Sequence, residues 1–264
     1  MTLRGRLRQA LRRRPALVLL SDLDGTLAPL VDRPQDARLP PATSRILARL
    51  ARHPRARVGI VSGRGLRDLR RLAGIPGAAY AGCHGMEITW GKVRFRHPAA
   101  AATPALLRRV AREVARRGAR LRGVLVEPKG LALAIHYRLA DRAARRELRA
   151  LAGDLAARAP ALEVLTGKKV LEVRPRVAWG KGEAVRLLRD RLGASLRRRA
   201  PVTLYLGDDA GDEAAFRALR RVAFCVAVGR RRSPAPFRLR DPEAVGRFLA
   251  WLEDVLGDAG GVRP

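Results

Sequence analysis

Acid is scarce in this sequence: 24 aspartates and glutamates stand against 55 lysines and arginines in 264 residues, a formal charge of +31. Such an excess attracts anions, so anionic partners have to be weighed. Aromatic residues are also few, at 4%. Binders of single-stranded nucleic acid stack bases on aromatics interleaved with basic residues. No such interleaving occurs, and no nucleic-acid partner is expected. The positive charge is almost all arginine and runs along helix-like stretches such as "ALLRRVAREVARRGARL", where it reads as the solvated face of amphipathic helices. Only two cysteines occur, Cys83 and Cys225, each in an apolar strand-like run. They read as buried thiols, not as a disulfide or metal site. No apolar run approaches the roughly 18 residues of a membrane span, so no membrane partner is expected. The start "MTLRGRLRQALRRRPALVLL" superficially imitates a leader, but it lacks a small-residue cleavage site and makes a better first strand. The expected location is cytoplasmic. The first dozen residues are expected to form a frayed or loosely docked basic helix.

With 47% hydrophobic residues, the chain can bury one large α/β domain, or a core domain carrying a smaller one. Short β-branched or leucine-rich runs alternate with amphipathic stretches, the pattern of a parallel sheet flanked by helices. Four runs stand out: "ALVLLSDLDG", "ARVGIVSGR", "PVTLYLGDD" and "VAFCVAV". Three end in polar or glycine-rich tips, at Asp22 to Thr26, Ser62 to Arg64 and Gly207 to Asp212. The carboxyl ends of parallel strands form the ligand crevice of an open α/β sheet, so these tips are expected to converge.

Between residues 98 and 174 the pattern changes to helix, two strands, helix, two strands. Pro104 opens a helix with Leu106, Leu107, Val110 and Val114 on one face. A turn at Pro128 to Gly130 joins one hairpin, Asp141 caps a second helix bearing Leu148, Leu151 and Leu155, and Gly167 centres another strand pair. The expected fold is a Rossmann-like, doubly wound parallel core (residues 1–97 and 175–264) with an inserted α+β cap (98–174, order αββαββ). A last helix is expected from Asp241 and Pro242 to a stop at Gly257.

Hydrolysis of a phosphate monoester needs a nucleophile, a proton for the leaving oxygen and cations to neutralise the phosphoryl oxygens. Asp22 can attack and form an aspartyl phosphate. Asp24 can protonate the leaving oxygen and later activate water. "GDDAGDE" offers Asp208, Asp209 and Asp212 to a hard divalent cation, Asp208 first among them. Ser62 in "VSGR" can donate to a phosphoryl oxygen, and Lys181 in "WGKGEA" can pair with its charge. The expected metal set is Asp22, Asp24, Asp208 and Asp209, with Mg²⁺ as cofactor.

These strings, in this order, resemble the four motifs of the haloacid dehalogenase (HAD) superfamily of phosphohydrolases. Any one alone is weak, since an isolated D-x-D-G-T is also an ordinary turn. Further strings, "DGTLAPLVDRPQDARLP", "YAGCHGMEI", "VEPKGLALAIHYR" and "KKVLEVRP", are similar to the trehalose-6-phosphate phosphatase family, over about residues 17 to 250. That resemblance implies a Mg²⁺-dependent phosphatase acting on trehalose 6-phosphate in trehalose biosynthesis, with a trehalose-phosphate synthase as a candidate partner. It implies substrate contacts at Glu127, Lys129, His136, Arg138 and Glu172 in the cap; Thr26, Gly63 and Arg64 are expected on the core side. Cys83 and Gly211 stand where the family commonly has Asn and Thr. Related phosphatases of sucrose phosphate or mannosyl-3-phosphoglycerate, and a non-catalytic sugar-phosphate-binding protein, remain as alternatives at this point. His84 is left between lining the site and structural support.

Overall fold

Residues with β-branched and leucine side chains on both faces can only be strands covered by helices on both sides, and the four apolar runs take that form. The computed structural model describes residues 1–118, 120–167, 169–196 and 200–258. The chain begins with α1 (Leu3–Arg13), β1 (Leu17–Ser21), α2 (Pro41–Arg52), β2 (Ala56–Val61), α3 (Leu66–Ala73), β3 (Ala79–Gly82), β4 (Glu87–Trp90), β5 (Val93–Arg96) and α4 (Pro98–Ala101). It continues with α5 (Pro104–Gly118), β6 (Leu125–Pro128), β7 (Leu133–His136), α6 (Arg142–Arg158), β8 (Leu162–Gly167) and β9 (Val170–Pro175). It closes with α7 (Lys181–Ala194), β10 (Val202–Gly207), α8 (Ala210–Leu219), β11 (Phe224–Val228), β12 (Phe237–Leu239) and α9 (Pro242–Asp258).

Among the described residues the larger sheet has the order β12-β11-β10-β1-β2-β3-β4-β5, parallel from β12 to β3 and antiparallel at β4 and β5. β1 is buried at all five positions and divides its side chains by pleat. Leu17 and Leu19 pack with Leu47 of α2, Leu69 of α3 and Leu249 of α9. Val18 and Leu20 pack with Val185 of α7 and Phe216 of α8 on the opposite face. Helices therefore cover both faces, and the doubly wound α/β core expected from the sequence is present.

The smaller sheet, β6-β7-β9-β8, is antiparallel throughout. α5 and α6 cover it with Leu107, Val110, Val114, Leu148, Leu151 and Leu155, a separate apolar cluster. Asp141 caps α6 by accepting from the Ala144 N–H at 2.8 Å. A small cluster of Cys83, Met86, Ala100, Leu131 and Ala132 joins the two sheets.

Two elements depart from expectation. α1 is docked, not frayed: Thr2 caps it through the Gly5 N–H, and Leu7 and Leu11, one turn apart on one face, are fully buried in the main core. The arginines obscured that stripe in the sequence; Arg4 and Arg8 lie over the Trp251 ring at 5.3 and 5.8 Å. α9 runs through Gly257 to Asp258, so that glycine is not its stop.

Candidate active site

β1 lies between β10 and β2, which brings the three polar tips together. The Asp22 N–H still donates to the Leu206 carbonyl of β10, at 2.9 Å, so Asp22 is held by the sheet while the chain beyond it turns. The turn passes through Gly25, whose φ is +83°, and a Cβ there would sit 2.2 Å from Asp208 Oδ2. Glycine at this position is what lets the tips of β1 and β10 touch. Thr26 Oγ1 donates to Asp208 Oδ1 at 3.0 Å, which commits that hydroxyl to the cluster.

Lys181 opens α7, where the Gly180 N–H donates to Glu183 Oε2 at 3.0 Å. Its buried ammonium donates to Asp22 Oδ1 and Asp212 Oδ1, both at 2.9 Å, and to Asp209 Oδ1 at 3.2 Å. Asp212 is fully buried and also accepts from Tyr205 Oη (2.6 Å) and from the Asp208 and Asp209 N–H groups (2.9 and 3.0 Å). Asp209 caps α8, accepting the Asp212 N–H at 2.9 Å.

Three carboxylates thus share one ammonium, and a fourth, Asp208, stands beside them. Burial pushes the Asp22 carboxyl well above its usual range, more than Lys181 can offset, and pushes Asp208 up to about 6 with Asp212 adding to the effect. Asp212 is raised by burial too, whereas at Asp209 the pull of Lys181 and the hydrogen bonds from Asp212 outweigh burial and depress the carboxyl. Asp212 and Asp22 hold Lys181 charged against its own burial. The arrangement lacks positive charge, and Asp22, Asp208 and Asp212 each offer an oxygen within 4.8 Å of the others. Hard oxygen donors in that number fit a divalent cation. Of the expected ligands, Asp22 and Asp208 lie in this group and Asp209, which caps α8, does not. Asp212, passed over in favour of Asp209, takes its place in the cluster. The signal was present as the second acid of a reciprocal cap three residues on.

The fourth expected ligand, Asp24, faces elsewhere. Arg64 grips both its oxygens, Nε to Oδ2 at 2.6 Å and Nη2 to Oδ1 at 2.8 Å. The same guanidinium donates to Asp68 Oδ2 (2.7 Å) and the Pro34 carbonyl (3.0 Å), so four of its five N–H donors are engaged within the protein. Its pKa is raised because these two carboxylates outweigh burial. Asp68 was not singled out in the sequence, although it stands one helical turn after Arg64. Ser62 is buried and its hydroxyl accepts the Arg64 N–H at 3.2 Å; Gly63 lies under the His84 ring.

The expected sugar contacts group on the smaller sheet. His136 Nε2 is 2.7 Å from Glu127 Oε2, and His84 Nε2 is 3.0 Å from both Glu172 oxygens. Burial raises the Glu172 carboxyl, but the His84 contact, Lys129 and Arg174 outweigh it and bring it down to about 2. Glu127 is likewise lowered against burial by His136, Lys129 and, across the cleft, Arg64. Lys129 therefore acts on both carboxylates, and this cluster adjoins the strand tips through Arg64. Arg138 stands at its edge, with Nη1 3.5 Å from Asp32 Oδ1.

The family model for trehalose-phosphatase matches residues 20–243, from the strand bearing Asp22 to the start of α9. The chain belongs to the trehalose-phosphatase family. A trehalose-phosphate phosphatase of Mycobacterium leprae is 36% identical over 258 residues, 93% of this chain and 59% of that protein. A Mycobacterium tuberculosis protein described as an uncharacterized glycosyl hydrolase is 38% identical over 256 residues, 94% of this chain and 19% of that protein. The chain thus spans about three-fifths and one-fifth of these two curated relatives. The C-terminal domain of the Candida albicans trehalose-6-phosphate phosphatase superposes with a TM-score of 0.77 at 25% identity, covering 96% of this chain and 97% of that domain. Among the described residues, no helix is long and apolar enough to cross a membrane.

Proposed function

We propose that this trehalose-phosphatase family member hydrolyses trehalose 6-phosphate to trehalose and phosphate, with Mg²⁺ as the divalent cation. The observation that carries the reading is the buried Asp22–Lys181 contact at the end of β1, with the Glu127, Lys129 and Glu172 cluster beside it. In this reading an Asp22 oxygen attacks phosphorus, the P–O bond to the sugar breaks and an aspartyl phosphate forms. Asp24 gives its proton to the departing sugar oxygen, which requires its side chain to exchange Arg64 for the leaving group. Water then attacks phosphorus, Asp24 takes its proton, and the acyl P–O bond breaks to restore Asp22. Lys181 and the Ser62 hydroxyl hold the phosphoryl oxygens. Asp22, Asp208 and Asp212 would hold a divalent cation, which would supply neutralising charge to the substrate dianion.

Residues 98–174 serve in this reading as the inserted cap, with 1–97 and 175–264 as the core. The cap carries Glu127, Lys129 and Glu172 to the sugar hydroxyls and excludes water during the first transfer. Phosphate release from trehalose 6-phosphate, sucrose phosphate and mannosyl-3-phosphoglycerate, each with and without Mg²⁺, tests it. Trehalose 6-phosphate is expected to be preferred, and Asp22→Asn to lower release by at least roughly 10³-fold. A different preferred sugar overturns the substrate; near-normal turnover by Asp22→Asn overturns the chemistry.

A further inference from the structure

Cys83, His84 and Gly85, between β3 and β4, all have positive φ, at 48°, 56° and 92°. Two successive non-glycine residues in the left-handed region persist only where their surroundings over-determine them, and such positions cluster at functional sites. The surroundings here are specific. The Cys83 N–H donates to the Arg64 carbonyl at 2.7 Å and the His84 N–H to the Ser62 carbonyl at 3.0 Å, which ties the turn to the loop bearing Ser62 and Arg64. Trp179 Nε1 donates to the Gly85 carbonyl at 2.8 Å.

From this anchored turn two contacts reach the smaller sheet. His84 Nε2 faces both Glu172 oxygens, and Cys83 Sγ donates to the Lys129 carbonyl at 3.1 Å. Two glycines make room for them. A Cβ at Gly63 would lie 2.7 Å from His84 Cε1, and one at Gly65 would lie 2.8 Å from the Lys129 carbonyl oxygen. The loop carrying the phosphate-side residues, the strained turn and the two sugar-side residues therefore form one continuous set of contacts.

We propose that His84 is a positioning residue for sugar selectivity: reaching across from the main sheet, it fixes the Glu172 carboxylate for the substrate hydroxyls, while Cys83 seats Lys129 beside it. This rests on the reading of Glu172 and Lys129 as sugar-facing. Both Glu172 oxygens keep accepting capacity beyond the shared contact with His84, so fixing the group does not block it. A carboxylate held in place loses less freedom on binding its ligand than one that must be ordered by it.

The test is the ratio of kcat/KM for the preferred sugar phosphate to kcat/KM for p-nitrophenyl phosphate, which has no sugar. His84→Ala is expected to lower this ratio about tenfold, chiefly through KM for the sugar phosphate. His84→Gln, which retains an N–H donor, should recover much of the loss. Glu172→Gln should lower the ratio too, and the double variant His84→Ala/Glu172→Gln should fall no further than the worse single one. An unchanged ratio in His84→Ala, whether activity on both substrates is kept or lost together, overturns the proposal, as do additive effects in the double variant. The wild-type protein reports separately on the substrate: a different preferred sugar phosphate overturns trehalose 6-phosphate and leaves His84 to be judged on that sugar. No preference for any sugar phosphate overturns the sugar reading and the proposal together.

Discussion

Lys181 meets three carboxylates, and only one of them, Asp212, is also bonded to Tyr205 and to two backbone N–H groups. An amide at 212 must aim its NH₂ either at the Lys181 ammonium or at those N–H donors, so one buried group is left facing a like dipole. Asp212→Asn should therefore cost ~3 kcal/mol and lower Tm by roughly 6–12 °C, with loss of phosphate release. Asp209→Ala removes a helix cap worth about 1 kcal/mol. Thermal unfolding of the two variants decides between them, and greater damage at 209 would reverse the roles described here. The string "GDDAGDE" shows three aspartates and not which of them turns inward, because that is decided by the cap of α8 and by a tyrosine on the preceding strand. Asp22 and Lys181 were legible because chemistry dictates their type and each stands at an element end. The pairing of Arg64 with Asp24 was not, since the two lie 40 residues apart in sequence.

At the level of elements, α1 shows what composition can conceal. Leu7 and Leu11 sit one turn apart among arginines, and burial of both in the main core turns a seemingly loose segment into a structural helix. Leu7→Ala or Leu11→Ala should destabilise the protein by about 2–5 kcal/mol, the range for buried leucines. Denaturant midpoints at constant slope measure this, and a change under about 0.5 kcal/mol would mean that the helix is only loosely attached. Both hairpins of the smaller sheet were readable from local turn residues. The contact of Glu172 with His84 was not, for it joins residues 88 apart through a backbone conformation no propensity favours.

Across the whole molecule, a net +31 coexists with an acidic centre, and pH acts on Asp208 and Glu172 in opposite senses. Asp208 titrates near 6 when folded, above its ordinary value near 4, so between those values the folded, metal-free protein binds more protons than the unfolded chain. Its contribution to stability falls as pH rises through that window. A bound cation relieves this repulsion, so the gain in Tm from Mg²⁺ should be larger at pH 7.5 than at pH 5, and melting curves with EDTA or Mg²⁺ at the two pH values check it. An equal gain at both would detach the cation from Asp208. Glu172, depressed to about 2, contributes stability that is complete above its ordinary range and fades as pH drops toward 2.

β1, which leads directly into Asp22, is paired on both sides and buried at every position. Strands of that kind open only when the entire domain does, and their amides are the last to exchange with solvent. Fraying of the termini or local opening of the smaller sheet leaves the mounting of Asp22 intact. Turnover of a small, sugar-free ester after heating or in denaturant therefore gauges how many molecules remain globally folded.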